Sequence, residues 1–417
     1  MSSSETATLP YLIIGAGLAG LSCAVRLHEN GFPVQVLEKS DGVGGRVRTD
    51  QKNGFLLDRG FQVYLDAYPE AGEFLDLEAL DLQPFEPGAL VWRKGKLREV
   101  MDVFRHPSAL FSSALQPIGS PIDKLLVAKL RFRLLRKPME EIWATPEQTT
   151  ADYLRDFGFS ESMIDLFFRG FYGGIFLEDL LVTSSRMFEF TFKMFAEGRA
   201  TLPARGMQRI PEQLAARLPK GAVETGREIT SLESRQVSGN GFHHSGRGVI
   251  LATDGSSTSA LLDRDGSVRW NSTACLYFST DSPPLARPII ALKGDREGLV
   301  NNVSVPTAVS SQYGDKPLVS VSVLGDQRET PDLEEAVRAE LRSWFGPSVD
   351  HWTHEETYHV RKALPTKTSG HLKPVEKTPE GIYVCGDANT SGSIEGAILS
   401  GLRTADHILE ESHADPG

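Results

Sequence analysis

Apolar residues in this chain gather into short runs that stop at glycines, and the first runs already define a unit. Tyr11–Ile14 is a four-residue apolar run ending at Gly15, the pattern of a parallel strand covered on both faces. Over residues 18–30 the apolar positions, Leu21, Val25 and Leu27 among them, take helical spacing. Gly31 closes that helix and Pro33 follows. Val34–Leu37 is a second strand, ending at Glu38. Strand, glycine turn, helix and strand make a βαβ unit with a right-handed crossover.

Between residues 67 and 199 strand signals thin out and helical patterns dominate, punctuated by Pro84, Pro107, Pro121, Pro138 and Pro146. Strand-like runs return at 224–232, 248–252, 274–278, 288–292 and 318–324, and Pro331 precedes a helix over 332–344. The chain closes with a strand at 382–385, a turn at 386–393 and a helix at 394–409. This order predicts an α/β fold whose dinucleotide-type elements lie at both ends and in the middle. One domain is expected from residues 1–75, 200–260 and 370–417. An inserted α+β domain with a helical cap is expected from 76–199 and 261–369.

The length of 417 residues fits two domains. The net charge of -11 argues against non-specific nucleic-acid binding. Cys23, Cys275 and Cys385 form no CxxC pair, so neither a disulfide framework nor a metal site is expected, and a reducing, cytoplasmic setting is the natural reading. Residues 1–10 lack the basic and apolar blocks of a signal peptide, and no window approaches the ~20 apolar residues of a membrane span.

The chemistry starts at Gly15-Ala16-Gly17-Leu18-Ala19-Gly20, a GxGxxG between strand and helix. Gly15 allows the tight turn, Gly17 lets a pyrophosphate approach the backbone, and Gly20 lets the helix pack on the strand. The helix N-terminus offers N–H groups and a positive dipole end to phosphates. Glu38, 18 residues after Gly20 and followed by Lys39, is placed to accept hydrogen bonds from a ribose diol and to repel a 2′-phosphate. Residues 41–49 (Asp-Gly-Val-Gly-Gly-Arg-Val-Arg-Thr) add an element that simple NAD proteins do not need. Gly44 and Gly45 permit a second close approach, and Arg46 is expected to pair with the pyrophosphate. Near the C-terminus a strand delivers Gly386 and Asp387, the latter toward a ribitol chain. The helix from Ile394, with Ala397 on its first turn, points N–H groups at a flavin's pyrimidine edge.

These motifs make the chain resemble the flavin amine oxidase, protoporphyrinogen oxidase and phytoene desaturase superfamily, strongly over residues 11–60 and 380–409. The resemblance implies a GR2-type, Rossmann-like FAD-binding domain built from discontinuous segments. It also implies an adenine contact from Ile229 on a strand over 222–232, a flavin-side loop at Asp58-Arg59-Gly60, a further turn at 202–207 and a Gly-His pair at His371. The chain departs from the amine-oxidising members. Neither 362–365 nor 391–394 carries the ring of an aromatic cage, and 273–278 holds no lysine. Residues 366–381 contain no cysteine, so FAD is expected to be non-covalent. The implied activity is hydride transfer from an apolar small molecule to flavin N5, with oxygen or a quinone as candidate electron acceptors. No catalytic base is assigned; His359, Arg361 and Lys362 each read more simply as solvated or satisfied groups. Two alternatives stay open: an isomerase using reduced flavin without net oxidation, and a non-catalytic flavin-binding regulator.

Residues 122–137 carry six basic residues and one acid in an acidic chain. A cap helix over the substrate cavity is the favoured reading, beside peripheral contact with an anionic membrane. The aromatic-rich stretch from Phe167 to Phe195 is expected to be mostly core, with a few rings lining a pocket.

Overall fold

The computed structural model describes residues 9–102, 105, 118–264, 268–366 and 372–414. His371 lies outside them. Its central sheet runs Val223–Glu224, Val34–Leu37, Tyr11–Ile14, Gly248–Leu251, Tyr383–Val384, Glu376–Lys377, all parallel except the last. The two middle strands are wholly buried, which is why they are apolar throughout rather than alternating. Alternate residues serve two cores. Tyr11 and Ile13 pack with Leu21 and Val25 of helix Leu18–Glu29 and with Ile398 and Leu402 of the final helix, Ile394–Ala414. Leu12 and Ile14 pack with Ile229 and Val237 of a three-stranded antiparallel meander, Ile229–Leu232, Gln236–Gly239 and Phe242–Ser245. This is a Rossmann-like α/β arrangement, and it takes its strands from the start, middle and end of the chain.

The first helix ends as its sequence dictates. Gly31 adopts φ +85° and its N–H donates to the His28 carbonyl, while the Phe32 N–H donates to that of Leu27. The single strand expected over 224–232 is instead two. Val223–Glu224 joins the central sheet, the chain turns at Gly226 (φ +68°), and Ile229–Leu232 leaves for the meander.

The second sheet has seven strands in the order Thr353–Pro365, Trp270–Ser279, Leu318–Leu324, Val300–Ser304, Ile290–Lys293, Gly88–Arg93, Lys96–Met101. Gly88–Met101 corrects the helical reading of 67–199. Its two-residue loop, Lys94-Gly95, has positive φ at both positions (+47° and +75°), the turn that matches strand twist. Asn53-Gly54 (φ +51° and +81°) makes the same turn between Thr49–Lys52 and Phe55–Asp58. Helix Leu333–Phe345 buries Val337, Leu341 and Trp344 on one face of the large sheet. Helices Pro121–Arg136, Thr150–Phe157, Arg169–Phe176 and Ser185–Glu197 build a layer on the other side, with Gly170 against the Lys293 carbonyl. No helix of the described residues is long and apolar enough to cross a membrane.

Candidate cofactor and substrate site

At the first glycine turn the glycines are needed for different reasons. A Cβ on Gly20 would lie 2.0 Å from the Gly15 carbonyl oxygen, and one on Gly15 2.8 Å from that of Ala252, so backbone packing excludes both. A Cβ on Gly17 would meet no protein atom within 4 Å, and Gly17 lines a cavity of about 1560 Å³. Helix packing therefore does not explain Gly17; access for a ligand does. No side chain caps the helix that Gly17 begins, which leaves its first-turn N–H groups to an anion.

Around the turn, Ala16 donates its N–H to Glu38 Oε2 (2.8 Å), and its carbonyl accepts from the Gly44 N–H (2.8 Å), which fixes the Gly44-Gly45-Arg46 loop beside Gly17. Glu38 is buried and also accepts from the Ser40 N–H. Of the residues expected at the cofactor, Gly15, Gly17, Leu18, Ala19, Glu38, Lys39, Gly44, Gly45, Arg46, Gly60, Ile229, Gly386, Asp387, Ile394 and Ala397 all line the one cavity. Ala16 and Gly20 lie behind the wall and hold its shape.

The two ends of the chain meet here. The Arg46 guanidinium makes a bidentate pair with Asp387 (2.7 and 2.8 Å), donates to the Ala363 carbonyl and stacks over Trp270. The expected partner of Arg46 was a pyrophosphate. In the structure the guanidinium fork is held by a carboxylate from the turn after the last parallel strand, which presents two parallel acceptors at low exposure. Behind this pair, Gly401 lets the final helix touch the first: a Cβ there would lie 2.2 Å from the Ala19 carbonyl oxygen. Ser393 caps the Gly396 N–H (3.0 Å), and the Ile394 N–H finds no acceptor among the described residues.

Asp58 joins stretches that the sequence presented separately. Buried, it accepts from Thr49 Oγ1, the Met207 N–H and Tyr313 Oη, while its carbonyl accepts from Tyr277 Oη. Burial raises its pKa against those hydrogen bonds. Loops 58–60 and 202–207 are thus fastened together, and Arg59 and Gly60 face the cavity. On the last helix, Glu395 accepts from the N–H groups of Glu70 and Ala71, and burial pushes its carboxyl up to about 7. Lys362 lines the cavity and is tied to Asp254 (2.8 Å); His359 and Arg361 are exposed outside it.

The same cavity includes a chamber walled by aromatic side chains. Stretches 362–365 and 391–394 meet there, with Gly392 packed near Pro365, and present Leu364 and Ile394 rather than rings. The rings come from elsewhere. Phe167, Phe171, Phe176, Phe190, Phe192 and Phe195 all line the wall, more than the few expected. Residues Ile164–Phe168 form a π-helical turn, which shifts the phase of the following helix, so α-helical spacing misassigns the rings on either side.

The sequence reading missed one further pair. A bulge in the Val300–Ser304 strand, opposite Ser322 and Val323, brings the Asn301 and Asn302 side chains together. Asn301 Nδ2 donates to the Gly170 carbonyl (3.3 Å) and Asn302 Nδ2 to Asn301 Oδ1 (3.0 Å). That chain of donors leaves Asn302 Oδ1, on a cavity-lining residue 3% exposed, without a partner among the described residues. Gly174 is the sequence trace of the site, because a Cβ there would lie 2.5 Å from Asn301 Oδ1. No cysteine lines the cavity, and no cluster of metal-ligating side chains occurs among the described residues.

The family model for flavin containing amine oxidoreductase matches residues 18–409. Protoporphyrinogen oxidase 2 of Arabidopsis thaliana is 39% identical over 64 residues, 15% of this chain and 13% of that protein. The chain thus aligns with only a small part of the curated relatives it matches. Among solved structures, a putative protoporphyrinogen oxidase from Exiguobacterium sp. 255-15 superposes with a TM-score of 0.73 at 17% identity, covering 99% of this chain and 100% of that one. Cyclohexylamine oxidase from Brevibacterium oxydans IH-35A gives 0.74 at 15%, covering 97% and 100%.

Proposed function

Since this chain belongs to the flavin containing amine oxidoreductase family, we propose that it is an FAD-dependent oxidoreductase that oxidises an apolar small molecule. The observation that carries this reading is the continuity of one cavity, from a glycine turn open to phosphates to a chamber walled by phenyl rings. At about 1560 Å³ it exceeds the roughly 300–1,000 Å³ of a single small-ligand pocket, in keeping with room for a dinucleotide and a substrate together.

Bound FAD supplies the redox chemistry, accepting a hydride. The protein binds, orients and keeps water out. Gly17, Gly44 and Gly45 would offer backbone to the pyrophosphate, and Glu38, Lys39 and Ile229 would hold the adenosine. Gly60, Gly386, Asp387, Ile394 and Ala397 flank the ring end. The uncapped Ile394 N–H would offer a dipole end to negative charge on the reduced ring. Attachment is non-covalent, as the cavity wall lacks any cysteine. The cofactor domain comprises 1–75, 200–260 and 370–417, and the substrate domain 76–199 and 261–369. Three buried, unpaired cysteines suit a reducing cytoplasm.

The test is optical. The purified protein should show flavin bands at about 370 and 450 nm. Under anaerobic conditions those bands should bleach with one member of a panel of amines, porphyrinogens and polyenes. A colourless protein refutes the cofactor assignment. A yellow protein that no panel member reduces refutes the oxidoreductase reading in favour of a flavin binder, and substrate rearranged without net reduction favours an isomerase.

A further inference from the structure

Helix Pro121–Arg136 has two apolar faces. The inner one buries Leu130 and Leu134, and its start is fixed by a capping box in which Asp123 also accepts from Ser160. The outer one is unpartnered among the described residues: Ile122 is 67% exposed, Leu125 71%, Phe132 57% and Leu135 40%. These are four of the six most exposed large apolar side chains among the described residues. At about 100° per residue they form one stripe. The exposed Lys129, Arg133 and Arg136 lie among and beside its Ile122 end, while Arg131 on the opposite flank is turned in to Asp102 and the Ala196 carbonyl. The helix's one acid, Asp123, is buried in the cap, so the outer surface joins the apolar stripe to three exposed bases, in a chain of net charge -11.

We propose that this helix docks the protein on an anionic bilayer, with its stripe in the boundary between headgroups and acyl chains and its bases on lipid phosphates. A protein partner would have to match both a linear apolar stripe and the cationic cluster of Lys129, Arg133 and Arg136; a phosphate-rich membrane face offers both at once. The location adds a consequence. Pro121, Lys124, Leu125, Ala128 and Arg131 of the same helix line the aromatic cavity, so its mouth opens at the docking face and an apolar substrate enters from lipid without crossing water. That entry route rests on the function proposed above; the docking does not.

The experiment is co-sedimentation of the flavin-loaded protein with vesicles of phosphatidylcholine alone and of phosphatidylcholine mixed with phosphatidylserine. Binding is expected on the mixed vesicles, weakened by added salt. I122D/F132D and K129E/R133E/R136E should each bind at least about ten-fold more weakly. These side chains lie outside the cavity wall, so both variants should keep the wild-type flavin spectrum and thermal midpoint. Absence of binding to mixed vesicles, equal binding to both compositions, or wild-type binding by both variants overturns the proposal. So does a defined protein complex through Ile122 and Phe132 that forms in place of vesicle binding. Because sedimentation needs no turnover, vesicle binding by a protein whose flavin nothing reduces refutes the proposed activity and leaves the docking intact.

Discussion

The glycine turn and the aromatic chamber are opposite ends of one cavity, built by opposite means. At the turn, side chains are removed so that backbone N–H groups reach a phosphate: Gly15 and Gly20 clear space for the protein, and Gly17 clears it for a ligand. In the chamber, side chains are added, and the wall is phenyl rings from two helices over a sheet that contributes Asn302. Backbone recognition is strict about position and indifferent to neighbours. Side-chain recognition tolerates exchange but depends on distant elements. Substitutions at the two ends should therefore fail in different ways.

The largest effect is expected inside the turn. Gly20→Ala forces a Cβ to 2.0 Å from the Gly15 carbonyl oxygen, so the protein should lose several kcal/mol of stability, on the order of 3 or more, and retain no flavin. Gly17→Ala meets no protein atom. Its flavin-free form should melt within about a degree of wild type, since surface changes cost about ±0.5 kcal/mol, while flavin affinity falls at least about ten-fold. Thermal denaturation and flavin titration of both variants separate the two roles. Equal melting points for the flavin-free forms would erase the distinction.

The chamber should answer with selectivity rather than collapse. Asn302→Leu removes a buried acceptor that has no partner among the described residues. Substrates carrying an O–H or N–H donor should lose about 10- to 100-fold in kcat/KM, equivalent to about 1–3 kcal/mol, while pure hydrocarbon analogues lose little. A uniform loss across both substrate types would reduce Asn302 to a packing role.

A smaller effect lies at the start of the final helix, where Glu395 accepts from the Glu70 and Ala71 N–H groups. Burial raises the Glu395 carboxyl from 4.5 to about 7, so the folded protein prefers the protonated form. The associated stability is complete below about pH 4.5 and is lost as pH climbs through about 7. Relative to Glu395→Gln, the wild type should lose about 2 kcal/mol of stability between pH 5 and 8, read by denaturant melts across that window. A flat difference would place a solvated carboxylate there instead.

Much of the cofactor half was legible in the chain. Strands, helix and turn of residues 11–38 follow from an apolar run, a 3.6-residue spacing and glycines at fixed offsets, all information held within thirty residues. Asn53-Gly54 and Lys94-Gly95 were equally local signals for the two hairpins that the reading passed over. Other features had no local signal. Arg46 and Asp387 are 341 residues apart, and nothing in either motif says that one becomes the other's partner. The π turn rephases the phenyl rings, a bulge unites Asn301 with Asn302, and Asp58 gathers Thr49, Met207, Tyr277 and Tyr313. The sequence by itself settled where backbone must approach a ligand, because only glycine allows it and glycine spacing is written along the chain. Which side chains wall the chamber, and which charges pair, was decided by the tertiary structure, because those contacts exist only once distant segments have been brought together by burial.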